Sequence, residues 1–218
     1  MARRFVSSET PALQQAAIIE AALRVLDSEG LVNVTLRRVA SELNVQAPAL
    51  YWHIKDKTTL IDYMAEAILQ TQFKDLAPRT ENESWQTWLI ATMNKLRTAM
   101  LTYKDGGRVV TGAHLFPAVT LLNLFEISLE SLISAGLDLP KAHSIVATTI
   151  HFVFGRVIEE QSGPSPEQLQ HVRLDELFAA YPLFLRAQEQ DDRLSYSEEF
   201  ENSLRLIING ASKEGNQE

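Results

Sequence analysis

The segment TLRRVASELNVQAPALYWHIKDKTTL, residues 35 to 60, limits what this chain can fold into more than any other part of it. Leu36, Val39, Ala40 and Leu43 recur at i, i+3, i+4 and i+7, which makes one apolar stripe on a short helix, while Arg37, Arg38, Ser41 and Glu42 face away. Thr35 stands where such a helix is capped. Asn44 follows the stripe directly and tolerates the left-handed conformation that ends a helix, so the chain turns there. Pro48, with its φ preset and no N–H to lose, marks the first turn of a second helix, expected over about 47 to 54. Leu50 and Ile54 point to the core. This leaves Gln46, Ala47, Ala49, Tyr51, Trp52 and His53 over the start and outer face of that helix, with Lys55 and Lys57 opening the next.

Such a face suits a DNA groove. Small alanines let a helix approach base edges and thymine methyls, Gln pairs with adenine, and Tyr, Trp and His reach phosphate and sugar. The same periodicity also fits an ordinary amphipathic helical hairpin with a solvated basic end, and periodicity alone leaves both open.

GLVNVTLRRVASELNVQAPALYWHIKDKTTLIDYM resembles the DNA-binding domain of the TetR family of bacterial repressors over roughly residues 14 to 70. The T-x-R-x-V-A turns, the P-A-L-Y-W-H reading helix and the K-x-K-x-x-L opening of helix four fall in the family's order without a gap. ESWQTWL, YKDGGRVVTG and HFVFGRVIEEQ are similar to the ligand-binding half of the family's tetracycline-responsive members, and the likeness weakens after about residue 162. The resemblance implies an all-α chain. Residues 1–13 would be an extension, 14–60 a three-helix helix-turn-helix domain, and 61–218 a larger ligand-binding and dimerisation domain entered through a connecting helix at 61–75. DNA contacts are expected from Thr35, Arg37, Gln46, Ala47, Pro48, Ala49, Tyr51, Trp52, His53 and Lys57. Arg3 and Arg4 could lie in a minor groove as a basic arm or belong to a disordered tail.

A net charge of −8 is at odds with DNA binding until it is divided along the chain. Residues 1 to 60 carry seven Lys/Arg against six Asp/Glu, a balance of +1, so the remainder carries −9. An acidic body behind a locally basic head fits a repressor whose body never approaches phosphate; a uniformly acidic enzyme is the bland alternative. Cysteine is absent, which removes disulfides, thiolate nucleophiles and zinc–sulfur sites and agrees with a reducing cytoplasm. No apolar run follows Arg3 and Arg4, so neither a signal peptide nor a membrane anchor is expected.

The rest of the chain reads as helices. Ile18, Ala22, Val25 and Leu26 line a first helix over about 14 to 29 that stops at Gly30, and Ile61, Met64, Ala65, Ile68 and Leu69 line the fourth, which runs to about Asp75. A polar linker lies around 79 to 84. Ser84 opens a helix to about Tyr103, broken by Asp105-Gly106-Gly107, and a second break near Gly112 to Pro117 precedes a helix to Ala135. Between Ile145 and Ile158 only Thr148, Thr149, His151, Gly155 and Arg156 interrupt an apolar surface, so this helix must be buried on more than one side. Residues 162 to 168 read as a loop before a poorly specified helix at about 169 to 186, limited by Pro182. In the last helix Phe200, Leu204, Ile207, Ile208 and Ala211 form a stripe suited to helix pairing. The resemblance assigns this helix and the one at 140 to 160 to a four-helix dimer interface, hence a homodimer on a palindromic operator, released when a small molecule changes the separation of the two heads.

The expected ligand follows from departures within that resemblance. Val110 stands where a histidine of the tetracycline-responsive members helps hold drug-chelated magnesium, Ala113 and His114 replace a small polar residue and an arginine, Phe73 replaces a drug-contacting histidine, and Thr92 and Leu96 replace an asparagine and a phenylalanine. His151 and Glu159 remain. A site lined by Phe73, Thr92, Leu96, Val110, His114, His151 and Glu159 suits an apolar or aromatic inducer without a metal or other cofactor, and the alternative is a tetracycline-like chelate. His151 also fits a satisfied core histidine, or a metal site with Glu159 and His143 or His114, although no H-E-x-x-H spacing supports one. No G-x-S-x-G, P-loop or dinucleotide fingerprint occurs, so no catalytic residue is assigned; a small helical enzyme or binding protein is the reading from another class.

Overall fold

Helix α1, Gln15–Glu29, ends where Gly30 adopts φ 83°, a conformation that costs glycine little, and donates its N–H to the Leu26 carbonyl. The computed structural model describes residues 14–114, 116, 118–163, 167, 170, 173, 176, 179–191 and 194–213. A 3-10 turn at Leu31–Asn33 leads into α2, Leu36–Glu42, whose first turn is capped by the Thr35 hydroxyl accepting from the Arg38 N–H at 3.1 Å. Asn44 at φ 55° closes that helix and lets Val45 N–H donate back to the Ala40 carbonyl at 3.0 Å. Helix α3 covers only Ala47–Tyr51, shorter than the 47 to 54 expected. The chain still turns as far as Ile54, whose N–H reaches the Leu50 carbonyl, so Ile54 is buried as expected although regular helix has ended.

Asp56 caps α4, Lys57–Phe73, which packs on α1 and continues into the rest of the molecule. Then follow α5 (Trp85–Leu101), α6 (Gly106–Gly112), α7 (Val119–Ile133) and α8 (Leu139–Gln161), with Ser84 and Asp138 as side-chain caps of α5 and α8. Helices α9 (Pro182–Asp191) and α10 (Tyr196–Lys213) complete the described elements. No strand occurs among them, and no helix is long and apolar enough to cross a membrane. The 1–13 extension, most of the expected 164–180 loop and helix, and the tail after 213 lie outside the described residues.

Three expectations need correction. Asp105-Gly106-Gly107 does not simply break the chain, because Gly106 and Gly107 open a seven-residue helix. Glycine is a poor helix former, but a Cβ on Gly106 would lie 2.3 Å from the Met100 carbonyl oxygen and one on Gly107 2.9 Å from Val157 Cγ1, so close packing decides these positions. The helix expected over about 169 to 186 is not continuous: Ala179 and Ala180 are helical, Tyr181 is not, and Pro182 begins α9, in keeping with proline's fitness for a first turn.

The third concerns the stripe on α10. Phe200, Leu204 and Ile208 are fully buried against α5 and α8 of the same chain, with Phe200 stacked on Phe152 at 5.4 Å, so most of that stripe is spent within the chain. Leu206, 77 % exposed, lies on another side of the helix. Helix α8 is likewise buried on one face only, through Ala142, Ile145, Val146, Thr149, Ile150, Val153 and Val157.

Candidate functional site

The α2–α3 pair rests on a continuous apolar floor of Val39, Leu50, Ile54 and Leu60 against Ile18, Ala22, Val25 and Leu26 of α1. Burial of that floor fixes what is left outside. Trp52 is 90 % exposed and Tyr51 more than half exposed, while Thr35, Arg37, Gln46, Pro48, His53 and Lys57 are also exposed and Ala47 and Ala49 are half-buried. An indole so open to water is costly in surface terms, which makes this end of α3 a place where apolar area awaits a partner. Arg37 makes no ion pair among the described residues and borders two clefts. One, of about 330 Å³, lies between it, Tyr51, Lys55, Asp56 and Lys57; the other, of about 350 Å³, lies between it, Asn44, Gln46 and Ala47. The ten expected DNA-contacting residues lie along the start of α2, the turn, α3 with the residues just after it, and the start of α4, and Asp56 is the one acidic residue lining the two clefts.

Arg38, next along the helix, is employed differently. Its Nε donates to Glu29 at 2.8 Å and its Nη2 to Glu42 at 3.1 Å, while Arg24 Nε reaches Glu42 at 3.3 Å, which clamps α1 to α2. Hydrogen bonds from Arg24 and then Arg38 hold the Glu42 carboxyl below the usual carboxylate range. The Asp56 carboxyl is also held low, chiefly by the Thr59 backbone N–H at 2.8 Å and next by its hydroxyl at 2.9 Å.

Between this head and the body lies a joint that sequence reasoning missed. Asp105 sits at the N-cap position of α6 with φ 56°, yet its carboxylate accepts the Leu31 N–H of the head at 2.9 Å instead of capping its own helix. Lys104 N–H reaches Asp27 at 3.4 Å. On α4, Asp62 accepts the His114 backbone N–H at 2.8 Å and lies 3.3 Å from its ring Nδ1, while Glu66, one turn on, accepts the N–H and hydroxyl of Thr120 at 2.9 and 2.7 Å. Two acids at i and i+4 beside a buried stripe were the available signal, since buried carboxylates need donors.

In the body, Phe73, Thr92, Leu96 and Val110 are all buried, on α4, α5 and α6, three helices that pack on one another. His114, His151 and Glu159 do not join them inside. The His114 side chain is largely exposed beside Asp62, His151 is exposed on the outer face of α8, and Glu159, 74 % exposed, pairs with Arg156 at 3.2 Å. Thus one chain gathers the apolar half of the expected pocket and leaves its polar half at the surface. Among the described residues no group of three or more His, Cys, Asp or Glu could hold a metal ion.

A further group unmarked in the sequence binds α5, α8 and α10. Arg97 donates to both oxygens of Glu160 at 2.8 and 2.9 Å through Nη2, adds Nη1 to Ser197 at 3.3 Å, and lies 5.2 Å from the Phe200 ring centroid. Arg156 pairs with Glu199 nearby.

Comparison with known proteins agrees with this geometry. The family model for bacterial regulatory proteins of the tetR family matches residues 18–64, and that for the tetracyclin repressor-like C-terminal domain matches 77–214. The chain is 32 % identical to the class A tetracycline repressor protein from transposon 1721 of Escherichia coli, over 92 % of this chain and 91 % of that one. A crystal structure of a possible TetR family transcriptional regulator from Streptomyces coelicolor A3(2) superposes with TM-score 0.80 at 26 % identity, covering 92 % of this chain and 99 % of the other. BioQ crystallised with its double-stranded DNA operator superposes with TM-score 0.66 at 25 % identity, covering 92 % and 99 %. These relatives are regulators of transcription, not enzymes, and with both halves matched in order the chain belongs to the TetR family of bacterial regulatory proteins.

Proposed function

We propose that this chain is a cytoplasmic, ligand-responsive transcriptional repressor, which binds a palindromic operator as a homodimer and is released by a small apolar or aromatic molecule. Residues 14–60 form its reader, 61–218 its ligand-binding and dimerisation body, and the 61–75 segment the connection. The observation that carries the DNA reading is Arg37, exposed and unpaired between two clefts beside a 90 % exposed Trp52, on a helix pair whose other face is wholly buried. One short helix makes too few contacts to specify a site, whereas a two-fold pair reads two half-sites on one side of the duplex. Membership of the TetR family supports dimerisation.

Arg37 reads a base and Lys57 a phosphate. Arg37→Ala then costs about 1–3 kcal/mol on the operator and relaxes one position, while Lys57→Ala weakens all sequences and lowers the salt slope by about one. Selecting duplexes from a randomised library with the full chain, then titrating both variants on the winner and on mixed-sequence DNA, tests this. Equal losses on both duplexes for Arg37→Ala would remove it from base reading. Gln46 and Ala47 replace acidic and amide residues of the tetracycline-responsive members, so tight binding to the tetracycline operator is not expected.

Phe73, Leu96 and Val110 support an apolar inducer, with Thr92 the one hydroxyl among them. The relatives named tetracycline repressors favour a second reading, a tetracycline chelate. Operator release by tetracycline that needs magnesium would select that reading; release by magnesium-independent aromatic compounds selects ours.

A further inference from the structure

We propose that Asp56 limits the strength of the DNA grip: its carboxylate stands among Arg37, Lys55 and Lys57 and holds the affinity for duplex DNA below what those cations would supply unopposed. The inference rests on the reading of α2 and α3 as a DNA reader. Asp56 is the only acidic residue lining the cleft that those three cations share with Tyr51. Its charge is not taken up locally. Both hydrogen bonds from Thr59 converge on Oδ1, and no ion pair to Asp56 forms among the described residues. Those same bonds keep the carboxyl ionised well below neutrality, so the charge is present under all working conditions.

The fold needs a cap at this position but not a charge. Asn and Ser cap a helix about as well as Asp, and the caps of α2 and α5 in this chain are the neutral Thr35 and Ser84. A phosphate entering the cleft therefore meets a carboxylate that helix geometry alone does not require. In a solvated cleft a unit charge within a Debye length of a phosphate changes affinity about two- to fivefold, and two heads on one duplex raise this to about five- to twentyfold. The consequence is regulatory. A ligand can shift occupancy only by its differential affinity, commonly about 5- to 150-fold, so a moderated grip keeps the operator within reach of release.

The test compares the full chain with Asp56→Asn, Asp56→Ser and Asp56→Glu by fluorescence anisotropy across a salt series. The probes are a mixed-sequence duplex long enough for both heads and a duplex selected from a random library by the parent chain. Asp56→Asn and Asp56→Ser should bind both probes about five- to twentyfold more tightly, with a steeper salt dependence, although the thermal midpoint falls slightly with loss of the N-terminal charge, and Asp56→Glu should not tighten either. Two neutral caps keep the test decisive if one of them folds poorly. Folded neutral variants that bind no tighter than the parent overturn the proposal, and so does tightening confined to the selected duplex, which would make Asp56 a base-reading residue. A parent that binds neither probe refutes the DNA reading itself and, with it, the inference.

Discussion

Arg97→Met should destabilise the protein by about 3–5 kcal/mol, and adding Glu160→Leu should recover most of that loss. The two side chains are 10 % and 17 % exposed, and the guanidinium donates three bonds to the carboxylate, one through Nε at 3.1 Å and two through Nη2. Removing the arginine leaves Glu160 charged in a site that water barely reaches and with no other partner among the described residues, and uncompensated buried charges cost about 3–5 kcal/mol. Loss of the bond to Ser197 and of the contact with the Phe200 ring falls on the same side of the balance. Replacing both members by apolar residues of similar length removes the orphan, so the double variant should lie within about 1 kcal/mol of the parent or above it. Urea unfolding followed by the fluorescence of Trp85 and Trp88 on α5 measures this, at one fixed protein concentration because subunit association adds to apparent stability. A loss under about 1 kcal/mol for Arg97→Met would show that the pair contributes little. A double variant as unstable as the sum of the singles would show that the two residues act independently.

Gly106→Ala puts a Cβ 2.3 Å from a backbone oxygen and should cost about 1–3 kcal/mol or more by thermal melting, while Gly112→Ala, with nothing within 4 Å, should stay within about 0.5 kcal/mol. The depressed Glu42 carboxyl contributes stability above the ordinary carboxylate range near pH 4, and that contribution disappears as pH falls through its lowered value. Amides of α2 should accordingly lose hydrogen-exchange protection on acidification below that range, and Glu42→Gln should remove part of this pH dependence. Leu206→Asp places a charge on the exposed side of α10, the helix that the family resemblance assigns to the proposed dimer interface, and light scattering should then report a folded monomer; an unchanged dimer would place the interface elsewhere.

The head was the most legible part of the sequence because its signals are local. Thr35 as cap, Asn44 as left-handed stop, Pro48 as first-turn residue and the Leu36–Val39–Ala40 stripe each act within a few residues, and each appears in the structure in that role. What failed to show is non-local. At the start of the helix at 106–112, Gly107 lies against Val157 and Gln161 of α8, some fifty residues on, a contact no window of sequence contains. The α10 stripe was visible, but periodicity gives a face and not its partner, and the partner is α5 and α8 of the same chain. His151 and Glu159 illustrate the same limit: their spacing placed both on one helix, and only the packing of α8 shows that they sit outside the apolar group of Phe73, Leu96 and Val110.

The carboxylates at the joint restrict how the body can move without the head. Asp62 and Glu66 are one turn apart on α4, and between them they hold His114, just after α6, and Thr120, in the first turn of α7. Asp105, at the opposite end of α6, holds Leu31 of the head. Helix α6 is therefore tied at its end to the helix that carries Lys57 and at its beginning to the turn that precedes Thr35 and α2. Val109 and Val110 bury its other side in the body. A displacement of α6 that kept all these hydrogen bonds would have to carry α4 and the Leu31 turn together. One that broke them would leave buried or half-buried carboxylates without donors, which costs about 1–3 kcal/mol for each unsatisfied group and more where it is charged. Three such groups together cost more than the about 1–3 kcal/mol by which ligands commonly bias two-state equilibria, so these hydrogen bonds favour a displacement that carries the head along.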